Sequence, residues 1–103
     1  MGWKSSAAAT ALLLLAWAAP ASAQSTQDAA VLAGPCASCH GTDGKSRTKI
    51  PSLAGRPAST LAALLKSFKS ETPPPGTTVM TRIANGYTDA QIEELAKFFA
   101  GVK

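Results

Sequence analysis

An all-α domain is predicted by three features of this sequence. Apolar residues recur at helical spacing in separate segments, no stretch alternates with the period of two that marks a strand, and proline or glycine punctuates the boundaries. There are no internal repeats. At 103 residues the chain is one domain at most, with 46% hydrophobic residues and a formal net charge of +4.

The first residues stand apart from that domain. Lys4 gives a short positive start, residues 7–19 are an apolar run centred on Leu12-Leu13-Leu14-Leu15, and Ala21-Ser22-Ala23 is a small-residue cleavage site. This pattern predicts a signal peptide over 1–23, cleaved after Ala23, export to the periplasm, and a folded domain over 24–103. The run of 13 apolar residues is shorter than the roughly 18 that a membrane span needs, so no membrane span is expected after cleavage. Retention of the leader as an anchor is the alternative. Cleavage leaves 80 residues and removes both tryptophans, Trp3 and Trp17, so that the aromatic side chains are Phe68, Tyr87, Phe98 and Phe99. A core this thin usually leans on a disulfide, a metal or a cofactor.

Along the domain, Ser25 is a candidate helix cap with Asp28 three residues later, and Ala29, Leu32, Ala33 and Cys36 fall on one face. Gly34-Pro35 interrupts that helix, because proline lacks the amide proton and clashes with the preceding turn. A kink or a fresh start is expected there. Residues 41–49 are too polar and glycine-rich for a packed element and read as a loop, and Pro51 and Gly55 keep residues 50–55 from regular helix. Pro57 suits the first turn of a second helix, in which Leu61, Leu64, Leu65 and Phe68 form an apolar stripe through about Ser70. Pro73-Pro74-Pro75-Gly76 ends it as extended, polyproline-like chain. Thr77 or Thr78 then caps a short turn carrying Met80 and Ile83, closed at Asn85-Gly86 by a left-handed cap. Thr88-Asp89-Ala90-Gln91 is a capping box that starts the last helix, with Ile92, Leu95, Ala96 and Phe99 as its buried stripe and Gly101 as its end.

The chemistry sits in Cys36-Ala37-Ser38-Cys39-His40, the C-x-x-C-H pattern of covalent haem attachment. Two thiols on one helical turn each add S–H across a vinyl group of the porphyrin, forming two thioethers, and the adjacent imidazole reaches the iron. The pattern also suits a redox dithiol or a disulfide, as expected of two cysteines in an oxidising compartment. A thioredoxin-like dithiol, however, wants a strand-bearing βαβ setting, and a structural zinc site wants four ligands where the chain offers two cysteines and one histidine. Haem accounts for the leader, the histidine and the thin core together. His40, the only histidine, is then the proximal iron ligand. Met80 is the one methionine left after cleavage; a lone methionine is commonly a core filler, but an electron carrier needs a second axial ligand and a thioether raises the potential. Met80 is therefore the candidate distal ligand, with a lysine or water as the alternatives. A stiff proline run before it lowers the entropy lost in presenting the sulfur.

From Gly34 onward the chain resembles a small monohaem class I c-type cytochrome. The resemblance rests on Cys36-x-x-Cys39-His40-Gly41, then Pro51-Ser52-Leu53-Ala54-Gly55, a middle helix, a methionine loop and a C-terminal helix. It implies a class I cytochrome c fold, three to four short helices wrapped around one covalent haem c. It also implies that the Pro51 carbonyl accepts a hydrogen bond from the proximal imidazole, orienting the ring. Residues 80–89, Met80-Thr81-Arg82-Ile83-Ala84-Asn85-Gly86-Tyr87-Thr88-Asp89, further resemble the cytochrome subunits of flavocytochrome c sulfide dehydrogenases, which implies a flavoprotein partner.

Electron transfer, not catalysis, follows from ligation at both axial positions. A peroxidase or oxygen-activating haem wants an open iron site and distal acid–base groups, and there is no second histidine to serve. The partners expected are redox proteins, either a flavoprotein subunit or, for a free carrier, a terminal oxidase or other reductase. Lys45, Arg47, Lys49 and Arg56 are candidates for a basic rim that steers an acidic partner. Without Lys4, nine basic and six acidic residues give +3, and two haem propionates bring this to about +1, too little for a nucleic-acid partner.

Overall fold

A computed structural model describes Gly2 and residues 26–103 of the chain. The signal-peptide reading of 1–23 and the Ser25 cap lie outside the described residues. Among these, five α-helical segments and no strand are found: α1 (Thr26–Ala33), α2 (Ala37–His40), α3 (Ala58–Lys69), α4 (Met80–Asn85) and α5 (Asp89–Ala100). Short 3-10 turns over Gly34–Cys36 and Thr42–Gly44 flank α2. The expected break at Gly34-Pro35 is thus a tightening of the helix into one 3-10 turn, after which a single α-turn carries the second cysteine and the histidine.

Helix α5 organises the domain. Its start is fixed by Thr88, whose hydroxyl accepts from the Gln91 amide at 3.2 Å while the Gln91 side chain accepts from the Thr88 amide at 2.9 Å. Two orphan amides of the first turn are satisfied in this way. Ile92, Leu95, Ala96 and Phe99 are all buried, and α5 packs against both α1 and α3. Ile92 and Leu95 each contribute about 1.5–3 kcal/mol by burial. Phe98 and Phe99 meet edge to face at 5.2 Å between ring centres.

The stripe of α3 divides in two. Leu61 is buried against α1 and α5 with Ala62, but Leu64, Leu65 and Phe68 are only half-buried and line a cavity. Ion pairs fasten the other side of α3 to α5, Lys66 to Glu93 and Lys69 to Asp89.

Three expectations about the methionine loop are corrected. The proline run is not extended throughout: the Thr77 amide donates to the Pro74 carbonyl at 3.2 Å with Gly76 at φ +82, the arrangement of a tight turn that needs glycine at its third position. The Thr77 hydroxyl is spent on the same carbonyl at 2.6 Å, so neither threonine caps α4, whose N-cap is Val79 without a side-chain bond. Gly86 is not a left-handed cap either, since its φ is −75°. The chain leaves α4 through right-handed turns in which Gly86 and Tyr87 donate to Ile83 and Ala84 at 3.0 and 3.1 Å.

Candidate functional site

The site begins with the turn that carries the cysteines. Pro35 fits the first positions of the 3-10 turn, where its missing amide proton costs nothing, and the Ala37 amide closes that turn on the Gly34 carbonyl. Cys36 and Cys39 are thereby three residues apart across one turn, and both line the cavity. Gly41 ends α2 at φ +85, its amide bound to the Ala37 carbonyl at 3.1 Å. A Cβ there would come within 2.2 Å of the Lys45 carbonyl oxygen, so the position after His40 demands glycine.

His40 is half-buried, and its Nδ1 lies 2.6 Å from the Pro51 carbonyl oxygen. With Nδ1–H donating to Pro51, the ring is fixed in one tautomer and Nε2 keeps its lone pair for a ligand. The segment that brings Pro51 there is held at two points. Gly44, buried at φ +71, accepts from the amides of Leu53 and Ala54 at 2.8 and 3.2 Å, and the Gly55 amide donates to the Phe99 carbonyl at 2.9 Å. Hydroxyls satisfy the intervening amides: Ser52 accepts from Ser46, Ser46 from Thr48, and Thr48 from Ile50. The polar loop of 41–49 is therefore an ordered support.

Cys36, Cys39, His40, Pro51 and Met80 all border one cavity of about 510 Å³. Its size is that of an ordinary cofactor pocket, and its wall is largely apolar, with Leu53, Leu64, Leu65, Phe68, Ile83 and Phe99 contributing. Met80 is the first residue of α4 and half-buried. The cations considered for a rim separate into two sets: Lys45, Arg47 and Lys49 are exposed on the loop, whereas Arg56 is half-buried and lines the cavity.

Burial, only partly offset by the Tyr87 hydroxyl, pushes the Cys36 thiol above its ordinary range. A redox dithiol needs the opposite, a thiol held low enough to ionise. Tyr87 was not marked by helical periodicity, yet it borders the cavity and donates its hydroxyl to the Leu32 carbonyl at 2.8 Å across 55 residues. Being the only tyrosine of the chain, directly before a capping box, was the one sign it gave in sequence. Two cysteines on one rim, an imidazole with one nitrogen free, a thioether and an apolar wall together fit a covalently attached haem.

The family model Cytochrome c matches residues 27–103. The cytochrome subunit of sulfide dehydrogenase from Chlorobaculum tepidum is 39% identical over 72 residues, 70% of this chain. That stretch is 64% of the relative, so the chain spans less than two thirds of the relative's length.

Proposed function

The chain belongs to the cytochrome c family, with a covalently bound haem c and haem-based electron transfer as its function, and we propose that Cys36 and Cys39 hold that haem while His40 and Met80 ligate its iron. The group supplies a one-electron store, iron passing between ferric and ferrous. The protein's part is to hold, orient and insulate it. Cys36 and Cys39 are thioether donors and undergo no redox change. The Pro51 carbonyl holds the proximal imidazole in the ligating tautomer, and its hydrogen bond raises the basicity of the ring. The Met80 sulfur, a soft neutral donor, would ligate the iron, favour its reduced form and keep substrates away from it. The apolar wall lowers the local dielectric and keeps water away, which disfavours the more highly charged ferric state.

The observation that carries this reading is the convergence of Cys36, Cys39, His40 and Met80 on one apolar cavity, with the imidazole tied to Pro51. The test is the spectrum of the exported protein. Haem retained on the denatured polypeptide, a sharp reduced α-band and no binding of carbon monoxide by the reduced form are expected. A haem-free disulfide protein would overturn the reading, and rapid carbon monoxide binding would remove Met80 from the iron.

The likeness to a cytochrome subunit of sulfide dehydrogenase supports a place as the non-catalytic haem subunit that accepts electrons from a flavoprotein, in the periplasm after removal of the leader. Purification of the tagged chain from its host checks this. Co-elution of a flavin-containing protein that reduces the haem on adding sulfide supports the assignment, and a chain recovered alone, exchanging electrons with an oxidase or reductase, identifies a free carrier.

A further inference from the structure

Helix α4 presents Met80 from an end that few contacts hold. Its N-cap, Val79, makes no side-chain bond and is 57% exposed, and Pro75, Gly76 and Thr78 before it are exposed as well. The other end is fastened. Tyr87, two residues past α4, has all three of its polar groups engaged: its amide donates to the Ala84 carbonyl at 3.1 Å, its carbonyl accepts from Lys69 of α3 at 2.7 Å, and its hydroxyl donates to the Leu32 carbonyl of α1 at 2.8 Å. Among the described residues, every hydrogen bond that joins residues 79–87 to another helix passes through Tyr87.

Met80, Ile83 and Tyr87 recur at i, i+3, i+7, and all three border the cavity, while Ala84 between them is fully buried. With the right-handed turn that follows it, α4 is one short lever, the sulfur at its loosely held end and the phenol at its fixed end. Leu32 stands one helical turn before Cys36, so the hydroxyl ties this lever to the segment that bears the cysteines. A helix of six residues makes too few bonds of its own to stay seated without tertiary contacts, and such a segment opens locally at less cost than the whole domain. We propose that the Tyr87 hydroxyl is a positioning group for the distal ligand, holding Met80 at the iron by fastening the far end of α4 to Leu32, an inference that rests on the reading of Met80 as a haem ligand. Tyr87 acts through α4: its bond shifts the balance between a seated and a swung-out helix, and so sets how often the second axial position opens.

The experiment compares the ferric holoprotein with its Tyr87→Phe and Ile92→Val variants, by the sulfur-to-iron charge-transfer band in the far-red spectrum and by the rate of cyanide uptake, which requires Met80 to leave the iron. A wild type without that band overturns Met80 ligation and this inference with it; with the band present, the variants judge Tyr87 alone. Tyr87→Phe is expected to keep the band, since the apolar contacts of α4 remain, and to take up cyanide about threefold to tenfold faster, the factor that one net hydrogen bond is worth. Ile92→Val removes a methylene from a fully buried position outside the cavity wall and lowers stability to a similar degree. It is expected to leave cyanide uptake unchanged, because opening of the whole domain is far rarer than opening of one short helix. An unchanged rate in Tyr87→Phe overturns the proposal. So does an equal acceleration in Ile92→Val, which would make the effect one of general stability.

Discussion

Gly44 lies against the ring of Phe99, so closely that a Cβ on Gly44 would be 2.8 Å from the ring edge. This contact joins the segment that follows the C-x-x-C-H turn to α5. The Gly44 carbonyl receives the amides of Leu53 and Ala54, and that pair of bonds fixes the strand of chain from which Pro51 reaches His40. A core contact therefore determines the orientation of the His40 imidazole.

Gly44→Ala is expected to cost about 1–3 kcal/mol, from a left-handed φ of +71° and from the collision with Phe99 and Leu53 together. Thermal unfolding of the holoprotein measures it. Gly34→Ala is the control, having open space within 4 Å, and its stability should stay within about 0.5 kcal/mol of the wild type or rise. Equal losses in both variants would show that the Phe99 contact is immaterial.

Met80→Ala is expected to give a reduced protein that binds carbon monoxide and has a lower potential, with the covalent haem retained through Cys36 and Cys39. Spectroscopic titration with carbon monoxide reads the first effect and a redox titration the second. A variant that still excludes carbon monoxide would point to another side chain as the distal ligand.

Tyr87→Phe removes only a hydroxyl, yet that hydroxyl bonds the Leu32 carbonyl and so ties α1 to the junction of α4 and α5. The Tyr87 carbonyl also receives Lys69 of α3 at 2.7 Å, a bond the substitution leaves intact. The loss should be about 1 kcal/mol, that of one net hydrogen bond. Denaturant unfolding measures it, and a variant as stable as the wild type would mean that α1 is held by its apolar face alone.

Lys45, Arg47 and Lys49 are exposed on one short loop, and electron transfer to an acidic partner is expected to slow as salt rises. Charge reversal at Lys45 and Lys49 together should flatten that dependence while the reduction potential holds. A rate indifferent to salt in the wild type would sink the steering role.

The capping box at Thr88, the α5 stripe and the break at Gly34-Pro35 were legible in sequence because each depends on a few neighbouring residues. Periodicity also found the apolar faces of α1 and α3, but it cannot distinguish a residue that meets another helix from one that meets a cofactor. Leu61 and Leu64 look alike on the helical pattern and both border the cavity, and only the packing buries Leu61 in the core while Leu64 stays half-buried. The proline run and Gly86 were misread for a related reason. The conformation there depends on where the Pro74 and Ile83 carbonyls find donors, which composition does not specify.

The sequence by itself determined the chemistry proposed for this protein: two thiols and an imidazole in five consecutive residues, with Met80 as the candidate second ligand. Tertiary structure decided what surrounds that chemistry. It separated Arg56 from the loop cations, brought Tyr87 back to α1, and set the Pro51 carbonyl against His40 through Gly44 and Phe99. The physical reason is range. The C-x-x-C-H pattern lies within one helical turn, whereas hydrogen bonds and charge at the cavity depend on residues that meet only after the chain has folded back on itself.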